Sequence, residues 1–223
     1  MRKFVTWLDT VDQSKPIFWL YGEPKCGKSM FAYHIFKRLH EERAVVSSFR
    51  FLGRTTQKTL GEAFIANLIT DVGHYMGPSF MRALEEVAEI SYIDHEGFLA
   101  QRALSQQLRD VFIPAFNGTP RPKPLLVMLD GLELCERVAL INIFDAISTA
   151  IRRLPICFVI SSTATPEINQ VLGPTGPLGS YVVSAVVPSV PMRIVTQSDP
   201  RTPTSASFAL QQAEITTPIE SPT

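Results

Sequence analysis

Between residues 22 and 29 the chain reads Gly-Glu-Pro-Lys-Cys-Gly-Lys-Ser, which fits G-x-x-x-x-G-K-[ST] without mismatch. An apolar run, Ile17 to Tyr21, leads straight into Gly22, and a segment of helical period begins at Lys28. Strand, tight loop and helix in direct succession constrain the fold more than any other feature, because such a helix packs back on its strand and so requires a sheet with a covered face. By chance the pattern occurs in about one chain of this size per hundred. The flanking strand and helix make it more specific still.

The residue types in this loop suit one chemistry. Triphosphate oxygens need several donors converging on a small volume, and successive backbone N–H groups supply them only where side chains do not obstruct. Gly22 and Gly27 permit that path; of the loop positions Glu23 to Cys26, Pro24 and Lys25 contribute mainly backbone, and Cys26 reads as a small loop residue rather than a reactive thiol. The helix starting at Lys28 points unpaired N–H groups and its positive dipole end at the loop. The Lys28 ammonium would neutralise β- and γ-phosphates, and the Ser29 hydroxyl would ligate magnesium.

A phosphate cradle of this kind needs a metal carboxylate on a nearby strand. Leu125-Leu126-Val127-Met128-Leu129-Asp130 supplies an apolar strand ending in an acid, at the carboxyl edge where α/β sheets bind ligands. Asp130 would hold magnesium directly or through water. Two further strands are expected at Val45 to Leu52 and Ile156 to Ser161, and Tyr181 to Val187 is expected to pair as an edge strand. Helical periodicity marks Ser29 to Arg43, 59 to 72, 80 to 90, Gly97 to Phe112 and Val138 to Ile151. Continuous apolar strands alternating with helices predict a three-layer α/β P-loop NTPase domain over residues 1–172, with a mostly parallel sheet covered on both faces.

Residues 188–223 hold 17 Pro, Ser or Thr against five charged residues, too little apolar surface to offset ordering entropy. Residues 173–223 are expected to form a linker, beginning at Gly173-Pro174-Thr175-Gly176-Pro177, and a disordered tail. Twenty-one basic and 21 acidic residues balance to zero net charge, which argues against nucleic-acid and anionic-membrane partners. Cys26, Cys135 and Cys157 are odd in number and irregular in spacing, as in an intracellular chain without a disulfide framework. Asp9 and Asp12 interrupt the apolar stretch Phe4 to Leu8, so neither export nor a membrane span is predicted. The expected location is the cytoplasm.

Several marks together resemble a known family. Trp7, Ile17-Phe18-Trp19-Leu20 before Gly22, Phe49 and Phe51 followed by Arg54, Gln101, and Leu129-Asp130-Gly131-Leu132 with Cys135 are similar to fungal NACHT-type NTPases. These are signalling ATPases of the STAND class, many with a nephrocystin-type N-terminal domain. The resemblance spans about residues 2 to 170. It implies an ATP-dependent (or GTP-dependent) switch with Mg²⁺, and protein partners or self-association.

The departures from that family lie in the hydrolytic set. Where it has an Asp-Glu pair after the metal carboxylate and small residue, this chain has Glu133-Leu134, which leaves Glu133 as the one candidate to orient an attacking water. Where it ends the fourth strand in Thr-Ser-Arg, this chain has Ser161-Ser162-Thr163, hydroxyls without the charge that stabilises a transition state. Weak or absent hydrolysis is therefore expected. The alternative is a non-catalytic interaction domain with a vestigial loop. A small-molecule kinase is disfavoured because residues 163–192 contain no Lys or Arg for a lid, and a DNA-dependent ATPase because no basic, aromatic-interleaved stretch exists. Asp94-His95-Glu96 reads as solvated surface, and Trp7 and Trp19 as core; Arg54, at the expected end of the second strand, could reach a phosphate but reads rather as an ordinary surface arginine.

Overall fold

The structure is a computed structural model of the chain and describes residues 2–9, 14–41, 45–51, 57–90, 103–119 and 125–188. Five strands, β1 (Ile17–Tyr21), β2 (Val45–Arg50), β3 (Leu125–Asp130), β4 (Ile156–Ser162) and β5 (Val182–Val186), form one sheet in the order β2-β3-β4-β1-β5. Every pairing is parallel. The expected edge strand is β5, paired with β1, so part of the segment after residue 172 joins the sheet as well as linking onward.

The apolar strands are continuous because both faces are covered. Phe18, Leu20, Leu126, Met128 and Val159 pack against Phe4 and Trp7 of α1 (Arg2–Asp9) and Ala32, Ile35 and Leu39 of α2 (Lys28–Glu41). Their strand neighbours Ile17, Trp19, Val127, Leu129 and Phe158 face the larger core. That core takes Ile65 and Leu68 of α3 (Gln57–Met76), Phe80 of α4 (Pro78–Ile90), and Ile143 and Ile147 of α7 (Arg137–Arg153). Alternation along each strand thus divides two hydrophobic cores, as period-two side chains require. Both tryptophans are buried, as expected for core residues.

Between α4 and β3 the helix expected to end at Phe112 continues without a break to Asn117, as α5 (Leu104–Gln107), a π turn (Leu108–Phe112) and α6 (Ile113–Asn117). Pro114 has no N–H to give a regular ladder, and the ladder widens beside it, with the Ile113 N–H reaching Leu108 O. A short helix that the periodicity did not mark, α8 (Pro166–Leu172), follows β4. Its start is nevertheless written in residue types: Thr165 caps it by accepting from the Ile168 N–H at 3.4 Å, and Pro166 occupies the first turn.

The connection leaving β1 runs three places across the sheet through α2 on one face. The later connections return through helices on the other face, so the connection leaving β1 differs in both direction and face from those leaving β3 and β4, as same-handed crossovers demand. That reversal makes the carboxyl edge beside β1 the natural ligand crevice. Among the described residues no helix is long and apolar enough to cross a membrane. Arg54, Gln101, Asp94-His95-Glu96, the beginning of the helix expected from Gly97, and the tail from 189 onward lie outside the described residues.

Candidate functional site

The loop 22–29 leaves β1 at the carboxyl edge and closes a turn through Cys26 N–H to Glu23 O, 3.3 Å. Lys25 and Gly27 both have positive φ, 64° and 95°. Left-handed residues alternating with ordinary ones turn successive N–H groups toward one side and form an anion-binding concavity. For a non-glycine such as Lys25 this conformation costs about 1–2 kcal/mol, strain held by the surrounding loop. Gly22 is required for a different reason: a Cβ there would lie 2.7 Å from Val187 O and 2.8 Å from Cys26 Sγ. The loop and the end of β5 are therefore in contact, and the Val187 N–H donates to Tyr21 O at 2.7 Å.

Lys28 is 7% exposed, and its ammonium donates to Gly22 O at 3.1 Å and Glu23 O at 2.8 Å. It lies folded over the loop it would serve. Ser29, in the first turn of α2, donates to Asp130 Oδ1 at 3.3 Å although β4 separates β1 from β3. Asp130 Oδ2 meets Arg50 Nε at 3.4 Å. Main-chain bonds fix the neighbouring strand ends, Phe51 N–H to Asp130 O and Gly131 N–H to Ser161 O, both 2.9 Å.

A cleft of about 560 Å³ opens here, lined by Pro24, Lys25, Gly27, Lys28, Ser29, Met30, Glu133, Leu134, Thr163 and Thr165. The loop, the helix start and the segments following β3 and β4 thus meet around one volume. Glu133 accepts from the Thr163 hydroxyl at 2.9 Å through Oε1, while its Oε2 is buried and has no hydrogen-bond partner among the described residues. Burial, and then the Glu133 carboxylate, push the Cys135 thiol up to about 12, and burial raises Cys157 to about 11. Beside the cleft, its own main-chain N–H and then the Thr165 hydroxyl hold Glu167 below the usual carboxylate range.

The residues expected from the sequence divide accordingly. Pro24, Lys25, Gly27, Lys28, Ser29 and Glu133 share the cleft, and Asp130 joins it through Ser29. Glu23 contributes a carbonyl to Lys28, and Gly22 and Cys26 form the base of the loop. Of the three hydroxyls Ser161-Ser162-Thr163 that stand where the family carries its sensor, Thr163 is the one that lines the cleft, whereas Thr165 as a cleft residue and Arg50 as the partner of Asp130 were missed. The ladder position of Arg50, opposite Asp130, follows from where β2 ends.

The family model described as Nephrocystin 3, N-terminal, matches residues 1–163. No curated protein matches the chain.

Proposed function

The chain belongs to the nephrocystin 3 N-terminal family, and from that premise, joined to the loop geometry, we propose that it is the nucleotide-binding module of a NACHT-type, STAND-class signalling NTPase. It takes ATP, or GTP, with Mg²⁺, and hydrolyses it weakly or not at all. The carrying observation is the meeting of Lys28, on the loop carbonyls at 2.8 and 3.1 Å, with a Ser29–Asp130 contact of 3.3 Å beside a left-handed loop.

The donor set fits a magnesium nucleotide. The loop N–H groups and the Lys28 ammonium would bind phosphate oxygens, with Lys28 exchanging carbonyl partners for anionic ones. Ser29 and Asp130 offer the hard oxygen ligands that magnesium takes. When bound, the metal supplies neutralisation of phosphate charge. Gly22 keeps side-chain bulk out of the base of the cradle. Glu133 is the cleft carboxylate that could orient a water, with Thr163 fixing its Oε1. Leu134 lines the same cleft where NACHT-type relatives carry a second acid, so a single carboxylate remains there, in keeping with weak or absent hydrolysis.

In this reading the module is cytoplasmic. Triphosphate binding favours a self-associating or partner-binding state, a population shift that any hydrolysis resets. Calorimetry with ATP and Mg²⁺ tests the reading: Lys28→Ala is expected to weaken binding by roughly 1.5–3 kcal/mol. Equal affinity in wild type and variant refutes it. The apolar Leu134 favours one second reading, a non-catalytic interaction domain. A chain that stays folded yet binds no nucleotide selects that alternative, whereas phosphate release that disappears in Glu133→Gln excludes it.

A further inference from the structure

Arg50 and Asp130 stand directly opposite each other at the last position of the β2–β3 ladder. Arg50 Nε lies 3.4 Å from Asp130 Oδ2, and Ser29 Oγ donates to Oδ1 at 3.3 Å. The chain itself therefore engages both oxygens of the carboxylate. The Asp130 side chain is 13% exposed, so its charge is poorly solvated and depends on these partners, whereas Arg50 is 65% exposed.

From this geometry we infer that Arg50 is the internal countercation of Asp130 and sets how tightly the site takes a divalent ion. The inference rests on the reading of Ser29 and Asp130 as the metal-holding pair. An ion entering between them draws on the carboxylate oxygens that Arg50 now faces, and it brings two positive charges close to the guanidinium. Arginine cannot escape by losing its proton. It must swing into solvent, which its exposure permits, or repel the ion. In either case divalent affinity is lower than with a neutral residue at position 50. The metal-free carboxylate is also already neutralised, which lets an anionic phosphate approach before any metal does.

The probe is Mn²⁺ alone, titrated into the full chain and followed by electron paramagnetic resonance at low and high salt. Arg50→Gln is expected to tighten Mn²⁺ binding about fivefold at low salt, the scale of an exposed ion pair, with the gain shrinking as salt rises. Arg50→Lys, which keeps the charge, stays close to wild type. Unchanged or weaker Mn²⁺ binding in Arg50→Gln, while Asp130→Asn still abolishes binding, overturns the role of Arg50 and leaves the metal pair standing. Mn²⁺ binding that is indifferent to Asp130→Asn, or absent from every variant, removes the metal pair and the role of Arg50 together.

Discussion

Thr163 donates its hydroxyl to Glu133 Oε1 at 2.9 Å and so ties the segment leaving β4 to the helical turn after β3. The bond anchors one oxygen of a carboxylate whose other oxygen is buried and, among the described residues, unpartnered. Thr163→Val, which preserves shape, is expected to destabilise the fold by about 1 kcal/mol, because a half-buried carboxylate then loses its fixed donor. That corresponds to a fall of roughly 2–4 °C in the melting temperature, and Thr163→Ser restores most of it. Any phosphate release falls in the valine variant and returns in the serine variant. A melting temperature unmoved by Thr163→Val means that the bond contributes nothing in solution.

The sequence made the loop legible because phosphate chemistry leaves few choices of residue at positions 22, 27, 28 and 29. The strands were legible because burial on both faces forces continuous apolar runs, and Asp130 followed from where one such run stops. Arg50 was hidden by an endpoint. Reading β2 as far as Leu52 drew attention to Arg54, but the ladder releases at Arg50, after a register shift between Val45 and Ser47, and this places Arg50 across from Asp130. Thr163 was hidden by chemistry: three successive hydroxyl residues look alike in sequence, and only the pleat and the exit from β4 decide which one reaches the cleft.

The two glycines of the loop should respond differently to alanine. Gly22→Ala places a Cβ 2.7 Å from Val187 O, so either the loop or the end of β5 must shift, at about 1–3 kcal/mol. At Gly27 the same substitution meets nothing within 4 Å, but a φ of 95° strains any side chain, by about 1–2 kcal/mol. Hydrogen exchange separates the two causes. The Val187 N–H, bonded to Tyr21 O, is expected to exchange faster in Gly22→Ala and at the wild-type rate in Gly27→Ala. Equal protection in both variants rejects the proposed loop–β5 contact.

Alkaline pH should weaken the fold through two cysteines. Cys135 and Cys157 are raised from an ordinary 9.0 to about 12 and about 11. Between those limits the folded state holds protons that the unfolded chain has released, so stability is complete below about pH 9 and declines as pH rises through the window. The melting temperature is expected to fall from about pH 8 to about pH 10.5, and less steeply in a Cys135→Ala/Cys157→Ala double variant. At about pH 8 both thiols should resist iodoacetamide in the folded chain and react once it is denatured. A pH profile with the same slope in both proteins shows that these thiols do not drive the loss.

Ser161 and Ser162 are adjacent, 1% and 0% exposed, and point to opposite faces of β4. The Ser162 hydroxyl accepts from Trp19 Nε1 at 2.9 Å, whereas Ser161 Oγ is buried and has no hydrogen-bond partner among the described residues. The same substitution should therefore act with opposite sign at neighbouring positions. Ser162→Ala leaves the indole N–H unpaired in the larger core and is expected to cost about 1–3 kcal/mol, of which Trp19→Phe in the same chain recovers part by removing the stranded donor. Ser161→Ala deletes a hydroxyl that was desolvated without compensation, and is expected to be neutral or to stabilise by up to about 1 kcal/mol. Denaturant unfolding of the two single variants decides the matter. A loss at Ser161 as large as that at Ser162 means that the Ser161 hydroxyl is hydrogen-bonded in solution.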